Sequence, residues 1–345
     1  MMKRGIVAAV TLALAAGTAA AIGSGTAAYA AGSGEPGIVA VTSGGALVVL
    51  NPVTGATTRT LVSATRTGKV MGGELAVSPS GKTVYFATTG CEIESVLAAG
   101  GRPTEITRGV LPAINPEGTK LAFAREPYGG FAYYTKGCGG APAASSFSLL
   151  VRNLATGSQR SYPSPSTVPS ALPFPITNLS WGPGGRQLAV SIGTVQDNSG
   201  QGLVLISPAT ARYYIPATYG TTTAGTVQVT SGSYPDDSAY IQAAFLPDGN
   251  LFVDRNCCGG VPSPHPASNL FWIITTSGHL VQQVAPASGS RLYDSLDSDQ
   301  SGHWLMYLST GYTSTGSLTP GKLFISHNGA AGVLLTTGLS AAAWL

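Results

Sequence analysis

The sequence predicts an all-β fold, specifically a six-bladed β-propeller, and three observations support this. A short apolar stretch, a Pro-x-Gly turn and a second apolar stretch recur along the chain, and we call this element the turn phrase. Runs of apolar or β-branched residues, bounded by Gly, Pro, Asn or Ser, separate the phrases in a regular order. Helical periodicity is absent after the N-terminal leader, and 46 glycines with 23 prolines would interrupt most helices.

The turn phrase marks the start of each repeat. Its copies span Leu75–Phe86, Pro112–Phe123, Leu179–Val190, Ala243–Val253 and, without the proline, Ser295–Met306. Each copy carries one anchor glycine, and these are Gly81, Gly118, Gly185, Gly249 and Gly302. Repetition of one unit indicates that each copy buries its apolar face against the next copy.

Four strands are predicted in each repeat. In the second repeat they span Glu74–Val77, Thr83–Thr88, Glu92–Ala98 and Thr104–Thr107. Four-stranded repeats of about 40 residues are typical of a β-propeller, in which small antiparallel sheets are set radially around a channel.

The two ends of the chain are expected to share one blade. Ile38–Thr42, Ala46–Asn51 and Thr57–Val62 form three strands without a first strand before them. After Lys322–Ser326 and Val333–Thr336, the last segment, Leu339–Leu345, is a strand without a turn phrase. Pairing of Leu339–Leu345 with Ile38–Thr42 would complete the sixth blade and leave no free edge. Seven blades are the alternative, if residues 128–145 or 220–240 contain further strands.

The turn phrases resemble those of a known family. Ser78–Lys82, Asn115–Phe123 and Leu246–Asn250 are similar to the Pro-Asp-Gly turn of the TolB-like (WD40-like, PD40) propeller repeats, found in TolB and in the propeller of prolyl oligopeptidases. The resemblance spans the mature chain and implies that the phrase joins the two inner strands of a blade. It is specific to the blade and not to a function. TolB has a preceding α/β domain and the peptidases have a following hydrolase domain, and neither is expected here.

The N-terminus has the pattern of a secretory signal peptide. Lys3 and Arg4 precede an apolar run, and Ala28-Tyr29-Ala30 is a small-x-small cleavage pattern. We therefore expect a signal peptide at 1–30, a short linker at 31–36 and a single propeller domain at 37–345. An uncleaved anchor is the alternative, but the run is rich in Ala and Gly, and a spanning helix needs about 20 strongly apolar residues. No cysteine for lipid attachment lies near the cut, so an extracellular protein is predicted.

The charge of the mature chain argues against two classes of partner. Without Lys3 and Arg4, 16 basic residues remain against 15 acidic ones, a net charge of +1. Such a chain offers no field for nucleic acid or an anionic membrane. Charged residues make up only 10% of the sequence, where about 25% is usual. A monomer is expected.

The lengths of the loops differ between the two ends of the predicted propeller. In a four-stranded meander, the turns between strands one and two and between strands three and four share one end, and these are tight throughout. The long insertions fall at the other end, at Arg125–Ser145, Tyr162–Pro175, Tyr219–Ser238, Arg255–Ala267 and Thr310–Pro320. Long loops on a rigid scaffold often carry function, although unselected insertion is also tolerated.

The long loops supply the candidate binding residues. Tyrosine offers contact area and a hydroxyl at low entropic cost, which suits a protein, peptide or glycan ligand. The alternative is that these rings pack onto the rim of the propeller. The aromatic and charged candidates are Glu126, Tyr128, Phe131, Tyr133, Tyr134, Tyr234, Asp236, Asp237, Asp254 and Arg255.

All four cysteines fall in loops between second and third strands. Export permits disulfides, and four cysteines allow three pairings. Cys91 and Cys138 lie in neighbouring blades, so we expect this bridge, with Cys257 and Cys258 as a vicinal pair or as free thiols. Cys257 and Cys258 lack the two-residue spacing of a zinc knuckle.

Known catalytic motifs are absent from the sequence. There is no Gly-x-Ser-x-Gly elbow, His-Glu-x-x-His helix or phosphate loop, so no catalytic residue, cofactor or metal is predicted. Asp297-x-Asp299-x-Ser301 matches the start of a calcium loop, but Leu308 stands where a bidentate glutamate is needed. The predicted function is a secreted binding or scaffolding module. The alternative is a lactonase-type hydrolase with a metal at the channel mouth, held by carboxylates such as Glu126, Asp236, Asp237 and Asp254.

Overall fold

The structure is a computed structural model, and it describes residues 37–66, 70–71, 75–125, 148–163, 176–192, 202–209, 212–214, 238–257, 269–284, 292–310 and 319–345. Within these ranges the chain contains 23 β-strands and one short 3₁₀ turn, at Pro183–Gly185. The prediction of an all-β fold is confirmed.

The strands of the first half of the chain follow the predicted order. They are β1 (Ile38–Thr42), β2 (Leu47–Leu50), β3 (Thr57–Val62), β4 (Ala76–Val77), β5 (Thr83–Ala87), β6 (Glu92–Leu97), β7 (Thr104–Arg108), β8 (Val110–Ile114), β9 (Lys120–Arg125), β10 (Ser148–Asn153) and β11 (Gln159–Pro163). The strands predicted for the second repeat correspond to β4–β7, with ends that differ by two residues at most.

The second half continues the same pattern. It contains β12 (Ile176–Trp181), β13 (Leu188–Ile192), β14 (Gly202–Ser207), β15 (Arg212–Tyr214), β16 (Ser238–Phe245), β17 (Leu251–Cys257), β18 (Asn269–Ile274), β19 (Leu280–Val284), β20 (Leu292–Ser298), β21 (Trp304–Thr310), β22 (Gly321–His327) and β23 (Val333–Trp344).

Neighbouring strands pair antiparallel into small sheets. Four sheets have four strands each and follow chain order, namely β4–β7, β8–β11, β12–β15 and β16–β19. The fifth sheet has seven strands in the order β20-β21-β22-β23-β1-β2-β3. The sheets pack face to face, and the architecture is that of a β-propeller.

The last strand differs from the prediction. The sequence predicts separate strands at Val333–Thr336 and Leu339–Leu345, whereas β23 is one strand of 12 residues. Its first part pairs with β22, and its second part pairs with β1, from Leu339 opposite Thr42 to Trp344 opposite Ile38. Gly338, with φ +84°, lies where the pairing passes from one neighbour to the other. A left-handed residue allows this change of direction without ending the strand.

The apolar core lies between the sheets. Alternation along a strand sends successive side chains to opposite faces, so each sheet packs apolar residues against a neighbour on both of its faces. For example, Ala189 and Leu205 of one sheet pack with Phe245 and Val253 of the next. Six such clusters form in the described part of the chain. Five are shared by two neighbouring sheets or by the two parts of the seven-stranded sheet, and the sixth joins β8–β11 to β12–β15 and also includes Ala87 of β5.

The turn phrases contact one another around one end of the molecule. Each anchor glycine has a positive φ, between +62° and +89°, which closes the tight turn. A Cβ added at Gly118 would lie 3.4 Å from Cδ of Pro79, and one at Gly302 would lie 3.2 Å from Cδ of Pro247. At these two turns the glycine of one phrase therefore faces the proline of the preceding phrase. We call this end of the molecule the tight-turn end.

Candidate functional site

A cavity of about 430 Å³ opens at the tight-turn end. It is surrounded by the ends of six inner strands, β4, β8, β12, β16, β20 and the second part of β23, together with the turns that follow them. The prolines of the four complete phrases, Pro79, Pro116, Pro183 and Pro247, line it, and Gln300 takes the equivalent place in the fifth phrase. A volume of this size lies within the range of about 300–1,000 Å³ that is usual for small-ligand sites.

Backbone amides of the inner strands point toward this cavity. The backbone N–H of the residue three positions before each anchor glycine donates to a carbonyl oxygen at the start of the second strand. For example, the N–H of Ser78 donates to the carbonyl oxygen of Thr83, with an N–O distance of 2.8 Å. Because N–H groups alternate in direction along an antiparallel strand, the preceding residue directs its N–H and C=O to the inner edge. We call this preceding residue the cavity position. Its members are Val77, Ile114, Trp181, Phe245, Ser298 and, by the same register, Trp344.

Two of these amides are joined to the neighbouring inner strand by a side chain. The residue just before each cavity position, which we call the bridge position, is Ser180 in β12 and Asp297 in β20. Ser180 Oγ accepts the N–H of Phe245 at 2.9 Å, and Asp297 Oδ2 accepts the N–H of Trp344 at 2.9 Å. The other bridge positions are alanine, which has no side-chain acceptor, and they are Ala76, Ala113, Ala244 and Ala343.

A third contact between inner strands uses an indole. Trp181 Nε1 donates to the carbonyl oxygen of Ala113 at 3.0 Å, and both groups are buried. The tryptophan thus reaches back to β8 while its neighbour Ser180 reaches forward to β16. β12 is therefore tied to the inner strands on both sides, which fixes the wall of the cavity.

Burial perturbs the pKa of Asp297. Its side chain is half-buried, Oδ1 accepts the N–H of Ser298 and Oδ2 accepts that of Trp344, both at 2.9 Å. Burial raises the pKa of the carboxyl to about 6; the two hydrogen bonds oppose this rise and the nearby charge of Asp299 adds to it. Asp299 also lines the cavity, and none of the lining residues is Lys, Arg or His. The cavity therefore has a negative potential when Asp297 is ionised.

In the calcium-loop pattern at Asp297–Ser301, the side chains form hydrogen bonds that stabilise the turn. Asp299 Oδ1 accepts the N–H of Trp304 at 3.0 Å, and Oδ2 accepts the hydroxyl of Ser301 at 2.6 Å. Asp297 bonds the two amides described above. In the described ranges, no three His, Cys, Asp or Glu side chains come together as a metal site requires.

Asn178 is another polar residue of the cavity lining. It lies in β12 beside a β-bulge and is 3% exposed. Among the described residues, its Oδ1 has no hydrogen-bond partner, and the same is true of Oγ of Ser191, which stands opposite it on β13. A buried polar atom without a partner is costly, so this pair marks a place where a buried water would be stabilised.

Irregular backbone recurs at the level of Asn178. The residue seven positions before the anchor glycine lies at or beside a register shift in β8, β12, β16 and β20. Leu111 and Ser295, at this level, have φ near +54°, which is unusual for residues other than glycine. Bulges redirect side chains and are frequent next to functional sites.

Of the residues predicted as binding groups, the structure describes Asp254 and Arg255. Asp254 is in the middle of β17 and is 1% exposed, so it is a buried strand residue and not a surface group. The backbone of Arg255 pairs with Tyr240 and Leu270. The other candidates lie outside the described residues, and they are Glu126, Tyr128, Phe131, Tyr133, Tyr134, Tyr234, Asp236 and Asp237.

The cysteines are described only in part. Cys91 takes part in a disulfide bond and has φ +57°. Its predicted partner, Cys138, lies outside the described residues, as does Cys258, while Cys257 ends β17. The pairing of Cys91 with Cys138 therefore remains a prediction.

The sequence prediction placed the binding site at the long-loop end and did not identify the cavity. A signal for it is nevertheless present in the turn phrases. When the five phrases are aligned on their anchor glycines, Ser180 and Asp297 stand in a column that otherwise contains Ala76, Ala113 and Ala244. A polar residue in an alanine column indicates a local role that the repeat itself does not require.

Neither a protein-family model nor a curated protein sequence matches this chain. In the described part of the chain, no helix has the length and apolar character needed to cross a membrane. Among solved structures, TolB from Acinetobacter baumannii superposes with a TM-score of 0.55 at 11% identity, over 90% of this chain and 66% of TolB. This chain thus spans slightly less than two thirds of that protein.

Two further solved structures have a similar fold. A protein of unknown function from Bacteroides caccae gives a TM-score of 0.54 at 12% identity, covering 90% of this chain and 99% of that one. An oligogalacturonate lyase in complex with manganese gives a TM-score of 0.50 at 13% identity, covering 82% of this chain and 69% of that one. At these identities the likeness concerns the fold alone, and with the paired sheets described above it shows that this chain folds as a β-propeller.

Proposed function

We propose that this protein is a secreted binding or scaffolding module that takes a polar segment of a protein, peptide or glycan partner into the cavity at its tight-turn end. The observation that carries the proposal is the ring of inward-facing backbone amides around a cavity of about 430 Å³. Groups of this kind fix the orientation of a ligand. The fold by itself supports a binding role only by analogy.

The proposal includes a ring of six blades. The six apolar clusters support it, because a closed ring of six sheets has six interfaces. The pairing of β23 with both β22 and β1 supports closure of the ring through a blade built from both ends of the chain. Gln300 Nε2 also donates to the carbonyl oxygen of Pro79 at 3.1 Å, across 221 positions of sequence.

An extended partner segment suits the chemistry of the cavity wall. The N–H groups of Phe245, Ser298 and Trp344 are accepted by Ser180 and Asp297. The other three cavity positions offer both N–H and C=O groups, and a peptide or a sugar carries the complementary donors and acceptors. For the amides of Val77, Ile114 and Trp181, the bridge position on the adjacent inner strand is an alanine. Alanine has no side-chain oxygen, so these three N–H groups have no side-chain acceptor at that position. They form a continuous arc on one side of the cavity.

The long loops are kept in this proposal as a second contact surface. Their tyrosines and carboxylates would add contact area with a macromolecular partner at the opposite end. Secretion after cleavage of residues 1–30 is part of the proposal and agrees with the disulfide at Cys91. The hydrolase alternative is not adopted, because Asp254, the described member of its carboxylate set, is buried inside β17.

Site-specific cross-linking tests this proposal. The mature protein is prepared with p-benzoylphenylalanine at Gln300, an exposed residue of the cavity wall, and incubated with the secreted fraction. A matched protein carries the same group at Glu105, which is exposed on the outer strand β7. We expect one partner segment, identified by mass spectrometry, to be linked from Gln300 only. Equal products from both positions, or none from Gln300, would show that the cavity does not bind the partner.

A variant with a shortened Arg125–Ser145 loop separates the two surfaces. If the cavity is the primary site, the cross-link from Gln300 still forms in this variant. Its yield then falls by a smaller factor than the total amount of partner that the protein captures. Loss of the Gln300 cross-link together with total capture would make the long loops the primary site.

A further inference from the structure

We propose that two copies of this chain associate through a patch on the outer edge of the molecule, formed by β19 and the first part of β23. The inference goes beyond the proposed function, because these are the outermost strands of their blades and do not line the cavity. We call this surface the edge patch, and its exposed members are Leu280, Val281, Val333 and Leu334. A dimer would replace the monomer expected from the sequence.

Exposed apolar side chains are concentrated in the edge patch. Within the described ranges, five large apolar residues are exposed, and four of them are the members of the patch, each 40% to 53% exposed. The fifth, Leu97, is 56% exposed and lies in β6 of another sheet. A single exposed apolar residue needs no explanation, whereas a group of them indicates a contact surface.

The outer strands differ in charge. β19 reads Leu-Val-Gln-Gln-Val and the first part of β23 reads Val-Leu-Leu-Thr-Thr, and neither contains a charged residue. Charged side chains on outer strands are a common means of preventing contact between the edges of two molecules. The edge patch lacks this protection, whereas each of the other four outer strands carries an arginine, namely Arg59 in β3, Arg108 in β7, Arg160 in β11 and Arg212 in β15.

The two strands of the edge patch border the same buried cluster. Gln282 of β19 lies opposite Ile273, and Leu334 of β23 lies opposite Phe324. Side chains of opposite residues lie on the same face of a sheet, and Ile273 and Phe324 belong to one cluster. Gln282 Nε2 also donates to the carbonyl oxygen of Asn328, in the turn before β23, at 3.1 Å. The patch is therefore one surface that extends over two neighbouring sheets.

The charges favour a second copy of the chain as the occupant. In a twofold dimer both copies bury the same surface, so that β19 of one copy lies against β23 of the other on both sides of the axis. An arginine in such a surface would meet a like charge, whereas a different partner could offset it with a carboxylate. Absence of charge from the patch is thus a requirement of self-association and not of binding in general.

The net charge of the whole molecule does not oppose this contact. The mature chain has 16 basic and 15 acidic residues, a net charge of +1. A protein with a net charge near zero has little electrostatic repulsion between its copies. The patch is small, however, and a contact centred on four aliphatic side chains per copy buries less than the roughly 1,200–2,000 Å² of stable interfaces. We therefore expect a dissociation constant in the micromolar range.

Sedimentation velocity tests the inference. The mature wild-type protein is measured between about 1 and 200 µM, and we expect its weight-average sedimentation coefficient to rise with concentration toward that of a dimer. Leu334→Lys places a lysine of each copy in the shared surface and should weaken dimerisation at least tenfold, because like charges are brought together. Leu97→Lys introduces the same charge at an exposed leucine outside the patch, and it should change the dissociation constant by less than twofold.

A second variant keeps the test valid if Leu334→Lys does not fold. Val281→Lys places the charge on β19, at a residue that is 53% exposed, and it should also weaken dimerisation at least tenfold. Because the patch is uncharged, raising NaCl from about 50 to about 500 mM should leave the wild-type dissociation constant unchanged or lower it.

Three results would overturn the inference. One is a wild-type protein that stays monomeric at the highest concentration. Another is a Leu97→Lys variant that is weakened as strongly as Leu334→Lys, since the effect would then come from added charge and not from the patch. The third is a dimer that persists in both Leu334→Lys and Val281→Lys, which would place the contact elsewhere on the molecule.

Discussion

Two junctions between inner strands have the same geometry and different chemistry. Between β12 and β16, the hydroxyl of Ser180 accepts the N–H of Phe245, and between β20 and β23 the carboxylate of Asp297 accepts the N–H of Trp344, each at 2.9 Å. An oxygen at the bridge position is therefore sufficient to join two inner strands. The carboxylate adds an ionisable charge at the junction that involves β23, the strand that also pairs with β1.

The difference indicates what each junction contributes. A hydroxyl is neutral at every physiological pH, so the Ser180 junction is a purely structural bond. The Asp297 junction is neutral or charged depending on pH, because the pKa of this carboxyl is raised to about 6. Both residues line the cavity and join inner strands, but only Asp297 brings a charge that depends on pH.

The largest expected effect is the pH dependence of stability at the Asp297 junction. The folded-state pKa of about 6 lies above the unfolded value of about 3.9, so the folded state binds the proton more tightly. Its contribution to stability is complete below pH 4 and is lost as pH rises through 6. One pKa unit is worth about 1.4 kcal/mol, and with some solvent screening the loss should be about 2 kcal/mol.

Urea unfolding at pH 4.5 to 7.5, compared with Asp297→Asn, measures this loss. Asparagine has no carboxyl to titrate, so titration of all other groups cancels in the difference between the two proteins. The free energy of unfolding of the wild type should fall relative to the variant as pH rises. A difference that stays constant with pH would mean that Asp297 does not titrate in this range.

Next in size is the loss of the acceptor itself. Asp297→Ala at pH 5 should lower the free energy of unfolding by about 1.5 kcal/mol, because the N–H of Trp344 is left without its acceptor. Measurement at pH 5 keeps most of the carboxyl of the wild type protonated, so the comparison concerns the hydrogen bond and not the buried charge. A loss below 0.5 kcal/mol, on the order of what a surface substitution gives, would show that the bridge is not stabilising.

The neutral junction should show a smaller loss without pH dependence. Ser180→Ala removes the hydroxyl that accepts the N–H of Phe245 and should cost about 1 kcal/mol. The value should be the same at pH 5 and pH 7.5, in contrast to Asp297. If the cost changes with pH by more than about 0.5 kcal/mol, the two junctions are coupled and the comparison between them must be revised.

The strands could be predicted from the sequence because their signals are local. Turn residues and alternating apolar side chains mark both ends of a strand, so Thr83–Thr88 was predicted where β5 spans Thr83–Ala87. On either side of Gly338 the sequence predicts two separate strands, because a glycine in an apolar run indicates a break as readily as a bulge. Only the pairing with two neighbours shows that β23 continues.

The candidate site could not be predicted in the same way, because its groups meet through lateral contacts. Asp297 acquires its role from Trp344, 47 positions away in sequence. The left-handed conformations of Leu111 and Ser295 have no sequence signal, since neither residue is glycine or asparagine. Aromatic residues, by contrast, are visible in the sequence, and for this reason the sequence predicts a binding site in the long loops, most of which lie outside the described residues.

The smallest expected effect is a gain in the free energy of unfolding, when a side-chain acceptor is introduced at a bridge position that lacks one. Ala76→Ser places a hydroxyl at the bridge position of β4, from which it should accept the N–H of Ile114 as Ser180 accepts that of Phe245. The free energy of unfolding should rise by about 0.5 kcal/mol. Ala87→Ser is the matched control, because Ala87 is an equally buried alanine of β5 outside the bridge position, and its hydroxyl should cost about 1 kcal/mol. A similar loss in both variants would mean that the bridge positions are not equivalent around the cavity, and that Ser180 and Asp297 accept these amides because of features particular to β12 and β20.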